Sequence, residues 1–174
     1  MTLARARAGD HRALRARVLR YQGMVFALLG RMLGQDAVED VAQETFLRVC
    51  RALPRFEPGP RARLSTWILT IATRRAIDEL RRRQRPMMLV ATLPPVADPQ
   101  ADPERRAVGR DTGAVLNRAI EALSPEQRAA FVLRVFHDRS YAEIAATLSI
   151  SAGTVKSRIS RARAALSAAL EEAR

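Results

Sequence analysis

Cysteine occurs once in these 174 residues and histidine twice. The single Cys50 excludes an internal disulfide or a multi-cysteine zinc site, and His11 and His137 lie far apart, so no metal-ligand cluster is apparent. Aromatics make up 5% of the chain and glycine eight positions. No alternating strand pattern is bounded by turns, which argues against a sheet. No run of about 20 apolar residues exists, so no spanning helix and no direct membrane insertion are expected. The opening MTLARARAGD lacks the apolar segment of a signal peptide. No paired-carboxylate metal site, phosphate-cradling glycine loop or nucleophile–base pair is visible, so no catalytic residue, metal or cofactor is expected. Acid is also in short supply. Lys and Arg total 30 against 18 Asp and Glu, a net charge of +12. Such a field suits a polyanion, either nucleic acid or an anionic membrane surface. The expectation is a cytoplasmic protein that works by binding.

What is abundant is Ala, Leu and Arg, the composition of an all-α chain. Asp10 can cap a helix running to about Leu33, with Leu14, Val18, Leu19, Val25, Leu28, Leu29 and Leu33 apolar and either a break or only a weak spot at Tyr21-Gln22-Gly23. A second helix is expected from about Ala37 to Leu53, with Val38, Ala42, Phe46, Val49 and Leu53 toward a core and Cys50 as a small filler. Pro54 to Arg63 reads as a loop. Ser65 is then expected to cap a helix from Thr66 to about Arg83. Its apolar face holds Ile68, Ala72, Ala76 and Leu80. Prolines 86, 94, 95, 99 and 103 mark residues 85–111 as a flexible linker. Two small helical domains result, 1–84 and 112–174. The second opens with a helix from Thr112 to Leu123. Ser124-Pro125-Glu126-Gln127 then supplies a cap, a proline at the first helical position and a capping box. Phe131, Val132, Val135 and Phe136 are expected to face its core.

The most informative stretch is Ser140–Leu166, SYAEIAATLSISAGTVKSRISRARAAL. Ser140 and Glu143 have capping-box spacing, Ile144, Ala145 and Leu148 form an apolar stripe, and Ser151 can cap a second helix. In that helix Val155, Ile159, Ala162 and Leu166 share one side. Thr154, Ser157, Arg158 and Arg161 lie on the other, flanked by Lys156 and Arg163. Hydroxyls and arginines on a half-apolar helix suit the major groove of duplex DNA, so the pair reads as a helix-turn-helix. Two further faces stand out. Asp36, Asp40, Gln43 and Glu44 adjoin on neighbouring turns, either compensating a helix dipole or docking a basic partner. Trp67, Thr70, Arg74, Asp78 and Arg81 follow one polar line. Trp67 either stacks single-stranded bases there or tucks into the core.

Taken together these segments resemble a bacterial extracytoplasmic-function (ECF) sigma factor of the sigma-70 family. GDHRAL, EDVAQETFLRVCRALPRF, LSTWILTIATRRAIDELRRR and the stretch from Leu123 to Leu166 carry the likeness over nearly the whole chain, in family order. The resemblance implies a factor that directs core RNA polymerase to promoters, with no enzymatic activity of its own. It implies that Asp40, Gln43 and Glu44 dock on the β′ clamp helices. Arg61, Arg63, Leu64, Trp67, Thr70 and Arg74 would capture the melted −10 element. Thr154, Ser157, Arg158 and Arg161 would read the −35 element, with Lys156 and Arg163 on phosphates and the polymerase β flap alongside. An anti-sigma factor is an expected partner. No long C-terminal extension is expected after Arg174. Thr73-Arg74 stands where the family usually has Arg-Asn, so −10 base specificity does not carry over. Ser149 stands where a turn glycine is usual. The alternative is a helix-turn-helix regulator that acts without docking on polymerase.

Overall fold

The computed structural model describes residues 3–34, 37–59, 63–84 and 110–173. The 85–109 part of the expected linker, together with Asp36 and Arg61, lies outside the described residues. The element order is α1 (Leu3–Arg7), α2 (His11–Leu33), α3 (Val38–Ala52), a 3-10 turn (Leu53–Arg55), α4 (Leu64–Gln84), α5 (Arg110–Ala122), α6 (Pro125–Val135), α7 (Tyr141–Leu148) and α8 (Ala152–Glu172). There is no strand among the described residues, as the composition predicts.

The helix starts follow their caps. The Asp10 carboxylate accepts from the amides of Arg12 and Ala13, and Gly34 closes α2 at φ 72°. Ser124 and Gln127 form the capping box of α6 with Pro125 behind the cap, and Ser140 and Glu143 form that of α7. Each box satisfies two amides that a helix start leaves open. Ser151 accepts from the Thr154 amide to start α8. Other expectations need correction. Gly23 makes no break, because α2 runs through it with neighbours that hold the helix. Ser65 lies within the first turn of α4, which begins at Leu64. Pro54 is not in an open loop but in the 3-10 turn, where its missing N–H costs nothing. Short helix α1 had no visible signal.

α2, α3 and α4 pack together, α8 lies across α5, α6 and α7, and the two groups join where α6 meets α2 and α4 and α7 meets α4. The main apolar cluster runs through both groups: Val25, Leu28, Ile68 and Ala72 from one, Val132, Leu133, Ile144 and Ile159 from the other. A second cluster holds Ile120, Leu123, Phe131, Ala162 and Leu166. A third joins Ala6, Ala13, Leu53 and Phe56 at the far end of α2. Leu19, Val135 and Phe136 are exposed rather than buried. Helical spacing shows which residues share a face but not how far the neighbouring helix extends over it.

One polar group anchors the join. Arg128 on α6 is 5% exposed. Its guanidinium donates to the Met32 carbonyl at 2.6 Å and to the Glu121 carbonyl. These acceptors lie in the last turns of α2 and α5, where carbonyls lack helical partners and a cation meets the negative dipole end. Arg83 from α4 donates to the Leu33 carbonyl at 3.2 Å beside it. Burial lowers the pKa of Arg128 from its ordinary value, without neutralising so strong a base. Arg128→Met should lower stability by about 3 kcal/mol, since it strands two buried carbonyls. Arg118→Ala, on the exposed side of α5, should change it by less than about 0.5 kcal/mol. Urea melts of the two variants test this.

Candidate functional site

Asp40, Gln43 and Glu44 are all exposed on α3. Val41, Ala42, Thr45 and Val49 turn the opposite side of the helix into the core. The acidic face is not uncompensated. Arg75 on α4 pairs with Glu44 and reaches Asp78 at 3.5 Å. Asp40, Glu44, Arg75, Asp78, Glu79 and Arg82 line one shallow cleft between α3 and α4. From the sequence Arg75 reads as added charge or only a solvated helix end, because its nearness to Glu44 arises only from the packing of α3 on α4. Next to it, the hydrogen bond from Arg82, joined by that from Arg83, outweighs burial and holds Glu79 down to about 2.

The α4 residues do not form one continuous face. Trp67 is half-buried, its ring 4.9 Å from that of Phe56, and packs on the cluster of Ala6, Ala13 and Leu53. Leu64 is half-buried in the same place, and Arg63 is exposed just before the helix. Thr73 is fully buried, its hydroxyl without a partner among the described residues. Thr70 and Arg74 point the other way, onto the helix-turn-helix. The Thr70 hydroxyl lies 3.3 Å from that of Thr147. Arg74 donates to the Thr147 carbonyl at 3.4 Å and to the Ser149 hydroxyl at 3.0 Å.

Ser149 ends α7 at φ 56°, ψ 47°, the left-handed conformation expected of it in place of glycine. That conformation presents its hydroxyl to Arg74. The turn before α7 is held by Arg139, which donates to Glu143 and to the Thr66 hydroxyl, both at 3.3 Å. The Ser140 amide is the largest influence keeping Glu143 below the usual carboxylate range. His137, in the turn after α6, is half-buried. Its Nε2 has no partner among the described residues, and burial, then Arg139, lowers its pKa.

On α8, Val155, Ile159, Ala162 and Leu166 are buried, which leaves the opposite side for binding. Lys156, Arg161 and Arg163 are exposed, while Thr154, Ser157 and Arg158 are half-buried. Thr154 bonds the Ser151 hydroxyl at 2.9 Å, and Ser157 donates back to the Thr154 carbonyl at 3.0 Å. Arg158 lines a cleft with Arg74, Arg81, Glu126, Leu148 and Ile150. Arg81 bridges to Glu126 across it at 2.7 Å. Residues nominated for two separate DNA elements, Arg74 and Arg158, therefore meet in one junction between the two helical groups. No group of His, Cys, Asp and Glu among the described residues is arranged to hold a metal, and no described helix is long and apolar enough to cross a membrane.

An all-helical protein with a basic helix-turn-helix and a separate mixed-charge helix belongs to the class of DNA-binding transcription proteins. Comparison with known families makes this definite. Residues 17–86 match Sigma-70 region 2 and residues 114–166 match Sigma-70, region 4. The RNA polymerase sigma-H factor of Pseudomonas aeruginosa is 35% identical over 96% of this chain and 91% of its own. The ECF RNA polymerase sigma-E factor of Escherichia coli is 34% identical over 93% and 88%. The ECF RNA polymerase sigma factor SigE of Mycolicibacterium smegmatis is 40% identical over 84% of this chain, which spans 57% of that relative's length. Among solved structures, CnrH in complex with the cytosolic domain of CnrY superposes with a TM-score of 0.68 at 30% identity, covering 98% of this chain and 95% of that one. RpoE in complex with the anti-sigma factor NepR, from Bartonella quintana, gives 0.67 at 25%, covering 90% and 96%. The chain belongs to the sigma-70 family, as an ECF RNA polymerase sigma factor.

Two outcomes follow from the geometry. Removing both junction arginines, Arg74→Ala with Arg81→Ala, should speed amide exchange in α7 by about tenfold, the effect of roughly 1.4 kcal/mol, while α3 stays protected. Glu79 is an acid whose pKa is depressed by folding. Its contribution to stability is complete above its ordinary value of 4.5 and lost as the pH falls toward about 2. The gap in urea midpoint between the native protein and Glu79→Gln should therefore narrow from pH 6 to pH 3.

Proposed function

We propose that this sigma factor docks on core RNA polymerase through Asp40, Gln43 and Glu44 and directs initiation at promoters with both a −10 and a −35 element. The observation that carries this reading is an asymmetry of access. The α3 patch is exposed, whereas Thr70, Arg74 and Arg158 are engaged at the junction of the two groups. Polymerase can meet α3 first, and DNA can displace the junction contacts of Thr70, Arg74 and Arg158 only as the groups part. Docking on the β′ clamp helices must displace Arg75 from Glu44, so basic groups on the polymerase compete with an internal pair.

Once the groups part, α8 enters the major groove at the −35 element with Thr154, Ser157, Arg158 and Arg161 toward bases and Lys156 and Arg163 toward phosphates. The β flap holds this domain. Arg61, Arg63, Leu64, Trp67, Thr70 and Arg74 receive the melted −10 strand. Opening the duplex costs a few kcal/mol per unstacked step, offset by capture of the extruded bases. The mechanism is binding in the cytoplasm, where polymerase and DNA meet. An anti-sigma factor covering α3 and the junction would hold the chain silent, a partner suggested by the complex of RpoE with the anti-sigma factor NepR.

Asp40→Lys with Glu44→Lys should weaken association with core polymerase by about 30-fold or more, corresponding to roughly 2 kcal/mol for lost interface charge pairs. Run-off transcription on a promoter pool should fall in parallel, with duplex binding by α8 retained. Undiminished polymerase binding by this variant would contradict the docking assignment.

A further inference from the structure

One face of α2 is left uncovered by the described elements. Leu19, Gly23, Phe26 and Gly30 recur on it at helical spacing and are all exposed, Leu19 by 54% and Phe26 by 42%. Glycine inside a helix is less stable than alanine, because it loses more backbone freedom on folding. A Cβ at Gly23 or Gly30 would meet nothing within 4 Å, so internal packing explains neither glycine. At Gly30 the face opens into a cleft of about 520 Å³. α2 lines it with Phe26, Ala27 and Gly30, and α5 lines it with Asn117, Ile120 and Glu121. Ile120 is buried, while Asn117 and Glu121 are exposed. The Asn117 amide both donates and accepts, and the Glu121 carboxylate accepts. An extended peptide, which carries apolar side chains and unpaired backbone N–H and C=O groups, fits such a mixed groove.

The chain itself holds such a peptide between α4 and α5, in residues 85–109. α4 ends at Gln84, and the Arg83 guanidinium donates at 3.2 Å to the Leu33 carbonyl, next to Gly34 at the rim of the cleft. Three extended residues cover about 10 Å, which is enough to bring Met87 from Gln84 to that rim. α5 begins at Arg110, about 10 Å along the helix from Asn117 at 1.5 Å per residue. The stretch between can span about 80 Å when extended, so it can enter the cleft and still return to Arg110. Within it Met87–Leu93, MMLVATL, is an uncharged run, and methionine fills irregular gaps well. Charge favours the same placement. Residues 86–104 hold Asp98, Asp102 and Glu104 and no cation. α2 holds Arg12, Arg15, Arg17, Arg20 and Arg31 and no acid. A tether this short keeps the two at high effective concentration. We propose that Met87–Leu93 docks in the cleft between α2 and α5 of the free chain, with its acidic continuation along the arginines of α2. This does not depend on which residues meet polymerase. The same run from a second copy, or an apolar segment of another protein, is the competing occupant.

The test is NMR of the full chain with labelled methionine methyls, beside a synthetic peptide of residues 85–97 as the free reference. The Met87 and Met88 methyls should be shifted from their peptide positions and should show cross-relaxation to the Phe26 ring protons. Gly30→Leu places a side chain in the cleft, where a Cβ meets nothing within 4 Å. It should return both signals to the peptide positions and abolish the contact with Phe26. The buried Met32 methyl reports in the same spectrum that the fold persists. Phe26→Ala, at an exposed site, should remove the ring-induced shifts by an independent route. Peptide-like Met87 and Met88 signals in the native chain would overturn the proposal, and would leave the cleft to another protein. Shifted signals that neither variant moves would place the run elsewhere and overturn it too. Shifts that revert on dilution would assign the cleft to a second copy and overturn docking within one chain.

Discussion

The buried guanidinium of Arg128 is the constraint on which the arrangement depends. It occupies the point where the last turns of α2 and α5 run out of internal donors, and it comes from α6. Two helix ends that would otherwise need water are satisfied by one side chain from a third helix. With α6 fixed there, its apolar side covers α2 and α4, and α7 follows it onto the α4 face. The apolar core then runs without a boundary from one group to the other. Hydrophobic burial supplies most of the attraction, but Arg128 sets the geometry, because its planar fork accepts few alternatives.

That geometry has a functional cost and a functional use. The cost is that Arg74 of α4 and Arg158 of α8, both proposed to meet DNA, line the same cleft. The use is that the closed form leaves α3 outward. Polar contacts at the junction are few and partly exposed: Arg74 to Ser149, Thr70 to Thr147, Arg81 to Glu126. Contacts of this kind contribute about 1 kcal/mol each at most. Parting the groups must also expose the shared apolar core and release Arg128 from the Met32 carbonyl, so a partner shifts the equilibrium only by binding the open form with a preference that exceeds this larger cost.

Much of this was legible in the sequence. The caps Asp10, Ser124, Ser140 and Ser151 work because a short side chain reaches amides two or three residues on, a local relation that spacing reveals. The buried stripe of α8 was legible for the same reason, and the left-handed Ser149 followed from the resemblance, which sets it where a turn glycine is usual. Contacts between distant segments were not legible. Nothing local says that Arg75 meets Glu44, that Arg128 is buried, or that Arg74 bonds Ser149. Trp67 shows the limit of periodicity. It falls on the polar line of α4, yet Phe56 and α1 arrive from elsewhere to cover half of it.

The central claim is that docking through α3 parts two groups that are closed in the free chain. Energy transfer between dyes at Gln22 on α2 and Ser167 on α8, both exposed, tests it most directly. High transfer in the free chain that drops when core RNA polymerase is added, and does not drop when Asp40 and Glu44 carry lysines, is the result this account predicts. Transfer that stays high in the polymerase-bound state would contradict it.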